Sequence, residues 1–147
     1  MANSKRSRLE AEIERAIART DDLAPAFRWG RRDCLLFAAN IVRRAIGIDP
    51  AEPWRGRYYS QSGAERVIGP RGLLWVSRQR AREIGAKRVK VADAKVGDWG
   101  CLKSPYRGSV IKYRNDYWLG CGPGFGGMTL VKNERVAAAW SFCDDEV

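Results

Sequence analysis

The stretch FRWGRRDCLLFAANIVRRAIGIDP, residues 27–50, decides how the chain is read. Gly30 allows a turn just ahead of Asp33 and Cys34. From Asp33 to about Ile46 the apolar positions Leu36, Phe37, Ala39, Ile41, Val42, Ala45 and Ile46 are dense enough for a largely buried helix. Asp33 is its expected N-cap and Gly47 its expected C-cap. Cys34 therefore falls in the first helical turn, where unpaired backbone N–H groups and the positive dipole end favour a thiolate. This makes Cys34 a candidate nucleophile, and the question is what would serve as its base.

On the N-terminal side, Ser7-Arg-Leu-Glu10 has the form of a capping box. Leu9, Ile13 and Ile17 follow at four-residue spacing, which predicts a first helix over residues 1–22 that stops near Thr20-Asp21-Asp22. Pro25 interrupts the pattern, and Phe27 and Trp29 bring aromatic bulk into the connection. On the C-terminal side, Asp49-Pro50 and Glu52-Pro53 mark an extended, turn-rich connection. A third helix is expected over Gly63 to Ile68 and a fourth over Gly72 to Ile84.

After Gly85 the runs RVKVA, DWGCL, SVIKYR, DYWLGC, MTLV and RVAAAWSF are separated by Gly, Pro, Asn and Asp, the pattern of short strands. Asn115-Asp116 is placed for a hairpin turn. The expectation is one α+β domain over residues 1–147, a helical half packed on a small antiparallel sheet.

Composition narrows the function. The chain has 147 residues, 45% of them hydrophobic, with no apolar run near the ~20 needed to cross a bilayer. Its first residues are too charged for a signal-peptide core, so the expectation is synthesis and retention in the cytoplasm unless a larger assembly carries the protein out. The net charge is +10. The excess gathers between Arg71 and Lys90, where Arg78, Arg80, Arg82, Lys87 and Arg88 are opposed only by Glu83. Such a segment suits a solvated or protein-docking face, and more remotely DNA or lipid headgroups.

Four cysteines, Cys34, Cys101, Cys121 and Cys143, form no Cys-x-x-Cys pair, and the chain has no histidine. A metal site would need long-range convergence of the four thiols, so no metal or other cofactor is expected, and buried or partly buried free thiols are. Gly122, Gly124 and Gly127 satisfy G-x-G-x-x-G, but a strand rather than a helix is expected to follow, which removes the dinucleotide reading. The six tryptophans are spread through the chain beside apolar residues, as core and interface anchors are.

The missing histidine bears directly on Cys34, because a cysteine hydrolase needs a base to take the thiol proton and return it to the leaving group. Asp33 is adjacent, but its charge would raise the thiol pKa.

FRWGRRDC, the helix LLFAANIVRRAIGIDP, RGRYYSQSGAERVI, KVGDWG and the closing AAAW together resemble the NlpC-like proteins of tailed phages, prophages and gene transfer agents. The resemblance covers about residues 20–142 and implies a papain-related fold encoded among tail-tip genes. It carries the nucleophile role onto Cys34 and draws in Gly56, Tyr58, Gly97-Asp98 and Trp140. The strand bearing the family's histidine would begin near Ser109, where this chain has serine. The resemblance thus implies a structural component of a tail tip or baseplate, made in the host cytoplasm and carried in the virion tail. Its partners would be other tail-tip proteins in a ring, with no membrane and no nucleic acid among them, and Cys34 would be a vestigial nucleophile. The alternative is a cysteine hydrolase acting on cell-wall peptides with a non-histidine or borrowed base. A nucleic-acid module using Arg71 to Lys90 is a third reading.

Overall fold

The computed structural model describes residues 4–23, 27–122 and 127–144. Four helices come first: α1 (Lys5–Leu23), α2 (Leu36–Ile46), α3 (Gln61–Ile68) and α4 (Gly72–Glu83). Six strands follow: β1 (Lys87–Val89), β2 (Trp99–Leu102), β3 (Ser109–Arg114), β4 (Tyr117–Gly122), β5 (Gly127–Lys132) and β6 (Val136–Ser141). They form one sheet in the order β1-β6-β2-β3-β4-β5, with every pairing antiparallel. The expected α+β class, with the helical half ahead of the sheet, is what the chain adopts, and each of the six β-like runs contributes one strand.

Strand alternation gives the sheet two apolar faces. Trp99, Cys101, Ile111, Leu119, Cys121, Ala138 and Trp140 pack with Leu9 and Ile13 of α1, Phe37, Ala38, Ile41 and Val42 of α2 and Ala81 of α4. The opposite face carries Val110, Trp118, Val136 and Ala139, covered in part by Val91 and Ala94 beside a single 3-10 turn. Trp99 and Trp140 are partners across β2 and β6 with ring centroids 5.3 Å apart, so DWG and AAAW meet in the core. A third apolar cluster joins Leu35, Leu36 and Ala39 to Ala51, Trp54, Tyr58 and Ala64, seating α3 and the 49–58 crossover on α2. Arg55 fixes that crossover by gripping both oxygens of Asp49 at 2.8 and 2.9 Å and the Asn40 side-chain oxygen at 2.7 Å.

Helix boundaries moved where capping decides them. Ser4, not Ser7, caps α1: its Oγ accepts the Ser7 N–H at 3.1 Å and its carbonyl accepts the Arg8 N–H at 3.0 Å. Ser7 instead donates its hydroxyl back to the Ser4 carbonyl at 3.0 Å. Helix α3 starts at Gln61 because Ser60 Oγ accepts the Gly63 N–H at 3.0 Å. Regular α2 geometry starts at Leu36, later than Asp33, yet Asp33 does cap it. Its carbonyl accepts the Phe37 N–H at 3.0 Å, and Oδ1 accepts the N–H groups of Leu35 and Leu36 at 2.8 and 2.9 Å. Gly47 closes α2 in the left-handed conformation, as expected. Pro25 and Gly124 lie outside the described residues. Gly122 ends β4 and Gly127 opens β5, so strand and not helix follows the glycines.

Asp33 is fully buried, and its other oxygen accepts the Gly30 N–H at 2.8 Å and the Tyr58 hydroxyl at 2.7 Å. One carboxylate thus ties the turn, the helix start and the crossover together. Asp33→Asn should cost about 2–3 kcal/mol in urea denaturation, because an amide nitrogen would face the Gly30 N–H or the α2 amides. Tyr58→Phe should cost about 1–2 kcal/mol, since it removes one donor and leaves the rest of the cap intact.

Candidate functional site around Cys34

Asp33 fixes the helix start that carries Cys34, and the sheet brings β3 against it. The Ser109 N–H donates to the Cys34 carbonyl at 2.8 Å. Gly108 makes the approach feasible: a Cβ there would lie 3.0 Å from both Cβ and the carbonyl oxygen of Cys34. The first residue of β3, where the resemblance puts a histidine, is therefore a neighbour of Cys34. Ser109 is buried, shares the helix-facing side of β3 with Ile111, and its hydroxyl has no hydrogen-bond partner among the described residues.

Three thiols share this side of the sheet. Cys101 pairs with Ser109 across β2 and β3, and Cys121 on β4 directs its Sγ toward the Arg32 carbonyl at 3.6 Å. All four cysteines are free thiols, Cys34 half-buried and the other three buried. No group of three or more metal-ligating side chains converges among the described residues.

Cys34 lines a cleft of about 650 Å³ between the α3–α4 segment and the β2–β3 loop. The walls are largely apolar, with Trp29, Leu35, Ile68, Leu73, Leu74 and Leu102 among them. The rim carries Arg71, Lys103 and Arg107, the last ion-paired with Glu65 at 2.9 Å.

The thiol is not set up to ionise. Burial pushes Cys34 up from 9.0 to about 12, and the Asp33 charge adds to the rise, against small opposing effects of a backbone hydrogen bond and Arg107. The helix-start stabilisation expected from sequence is thus overridden by desolvation, while the expected influence of Asp33 has the anticipated sign. Asp33 itself is occupied by four donors. Tyr58 is shifted upward as well, by burial and by the hydrogen bond it donates to Asp33.

Several cations of the basic segment are engaged within the fold. Arg80 donates to the carbonyls of Asp49 and Pro50 at 2.9 and 3.2 Å, and Lys87 pairs with Asp144 at 2.7 Å. Arg71 lies over Trp75 at 4.6 Å and Arg88 over Trp140 at 5.6 Å. These cations serve the fold or its aromatic surface. Among the described residues no helix is long and apolar enough to cross a membrane. Sequence reading missed the Tyr58–Asp33 bond and the close approach of Gly108. Both depend on long-range packing, and only the GRYY and RGS glycines hinted at them.

A thiol near 12 is ionised in about one molecule in 100,000 at pH 7. Iodoacetamide labelling of Cys34 should therefore rise about tenfold per pH unit from pH 7 to 10 without a plateau. A plateau near pH 8 would show an activated thiolate. Cys34, Cys101 and Cys121 are all raised, to about 12, 11 and 11, from 9.0. Below pH 9 both folded and unfolded thiols keep their protons. Above it the unfolded chain releases them first, so Tm should fall as pH rises from 9 through 12.

No curated protein matches the sequence. A family profile covers residues 4–142, nearly the whole chain, from the α1 cap through β6 and including Asp33, Cys34, Tyr58 and Ser109. The chain belongs to the family described as Domain of unknown function (DUF6950).

Proposed function

We propose that the protein is a structural subunit of a phage or prophage tail tip or baseplate, built on an NlpC-like, papain-related scaffold whose hydrolytic site has lapsed. One observation carries the reading: the residue beside Cys34 at the start of β3 is Ser109, in a chain with no histidine. A serine hydroxyl does not accept a thiol proton near neutral pH, and a thiol raised to about 12 does not give one up. The residues of the resemblance also support it by their mutual contacts. Asp33 meets Tyr58, and Trp99 of the GDWG run meets Trp140. The partners of such a subunit are other tail-tip proteins arranged in a ring, and exposed aromatics such as Tyr59, Trp75 and Tyr106 suit docking more than substrate turnover.

The second reading is a cysteine hydrolase of cell-wall peptides that takes its base from a neighbouring chain. The cleft beside Cys34 favours it, because its size is that of a typical ligand site. The two readings separate in one experiment. Purified protein and intact particle are each incubated with peptidoglycan and with an electrophilic thiol probe, with Cys34→Ala as control. The structural reading expects no released wall peptides, slow labelling, and normal particle assembly by the Cys34→Ala variant. Peptide release that depends on Cys34, in either sample, overturns it in favour of the hydrolase.

A further inference from the structure

On the side of α2 away from the Cys34 cleft, a second recess of about 120 Å³ lies in the groove between α1 and α2. Its lining is unusual in charge: Arg19 from α1, Arg31 and Arg32 from the turn before α2, and Arg44 from the last turn of α2, with Asn40 between them. Ala16, Phe37 and Ile41 close the floor. Four arginines line a space that would hold about four waters at ~30 Å³ each, which is room for one tetrahedral oxyanion.

The residues around the recess are held in place. Asn40 donates to the Arg31 carbonyl at 3.2 Å, and its own oxygen accepts from Arg55 at 2.7 Å, so the amide is fixed from both ends. Arg32 lies over the Phe37 ring at 5.8 Å. The nearby carboxylate among the described residues is Glu12, and it is already committed to Arg15 at 2.9 Å and Arg19 at 3.2 Å. Arg31 and Arg44 form no ion pair among the described residues. Arg44 is pushed below its ordinary range by burial and then by the positive charge of Arg19, Arg43 and Arg32, which together outweigh Glu12. Like charges gathered in a recess repel, and an anion seated there would relieve that repulsion.

We propose that this groove is a binding site for a phosphoryl dianion, either free phosphate or a phosphomonoester, gripped by the guanidinium groups of Arg31 and Arg44 with Arg19 and Arg32 beside them. The planar fork of guanidinium donors matches phosphoryl oxygens in pairs. A dianion also answers two guanidinium groups, those of Arg31 and Arg44, better than a single carboxylate does.

The test is isothermal titration of the purified full chain with inorganic phosphate, with glycerol 3-phosphate, and with sodium acetate, all at one ionic strength set with chloride. Thermal unfolding is followed under the same conditions. The expected result is one saturable site for phosphate or the monoester, with a matching rise in Tm. Acetate should give neither. Tighter binding of the monoester assigns the site to a group carried on a larger molecule, and tighter binding of phosphate assigns it to the free anion. Arg31→Ala and Arg44→Ala should each weaken binding about tenfold, and the double variant should abolish it. Should the double variant fail to show a folded circular dichroism spectrum, Arg44→Gln, at a surface position, decides alone. Absence of saturable binding, an equal response to acetate, or undiminished binding in the folded variants overturns the proposal.

Discussion

The structure hangs on a carboxylate removed from solvent. Asp33 accepts four hydrogen bonds from three separate pieces of chain, the Gly30 turn, the first turn of α2 and the Tyr58 crossover. A buried charge is tolerable only when its oxygens are satisfied, so these pieces cannot drift apart independently. Their common position sets where Cys34 points and where β3 can approach. The same arrangement disarms the thiol. The helix start that would favour a thiolate is packed tightly enough to desolvate it, with a negative charge one residue away. Organisation and reactivity pull against each other at this site, and organisation wins.

Much of this was legible in the sequence. Six β-like runs gave six strands, and the apolar pattern of residues 36–46 gave a buried helix closed by Gly47. Asp33 was readable as a cap because its side chain acts on amides two and three residues away, a local interaction. Local chemistry also explains the misreadings. The Ser7-Arg-Leu-Glu10 pattern points to a cap at Ser7, but the helix begins three residues earlier and Ser4 caps it, with Ser7 bonded back to the Ser4 carbonyl. The rise in the Cys34 pKa was legible only in its smaller part, the neighbouring Asp33. The larger part is desolvation, which depends on residues some 70 positions away along the chain. The same holds for the arginine recess, whose four side chains come from α1, a turn and the end of α2.

Charge was the least transferable signal. The sequence concentrates cations between Arg71 and Lys90, and folding spreads them over several tasks. Arg80 caps carbonyls of the crossover, Arg71 and Arg88 cover tryptophan faces, and Lys87 pairs at the surface. Arginines separated in sequence, Arg19, Arg31, Arg32 and Arg44, come together instead. A linear density of charge says little about surface potential when alternate positions on a helix face different partners.

Helix α2 is where these properties meet, because its start separates two different environments. On one side Cys34 opens onto an apolar cleft, and on the other Arg31 and Arg32 border a small polar recess. Catalysis at the first would require a group that exchanges protons near neutrality within reach of the thiol. Asp33 is spent on its four donors, and Cys121 titrates near 11. Tyr58 is raised, and Ser109 carries only a hydroxyl. Cys121 and Tyr58 keep their protons near neutrality, and Glu65, a carboxylate lining the same cleft, is held by Arg107 at 2.9 Å. Whether Cys34 reacts therefore turns on what could take its proton rather than on the position of the thiol.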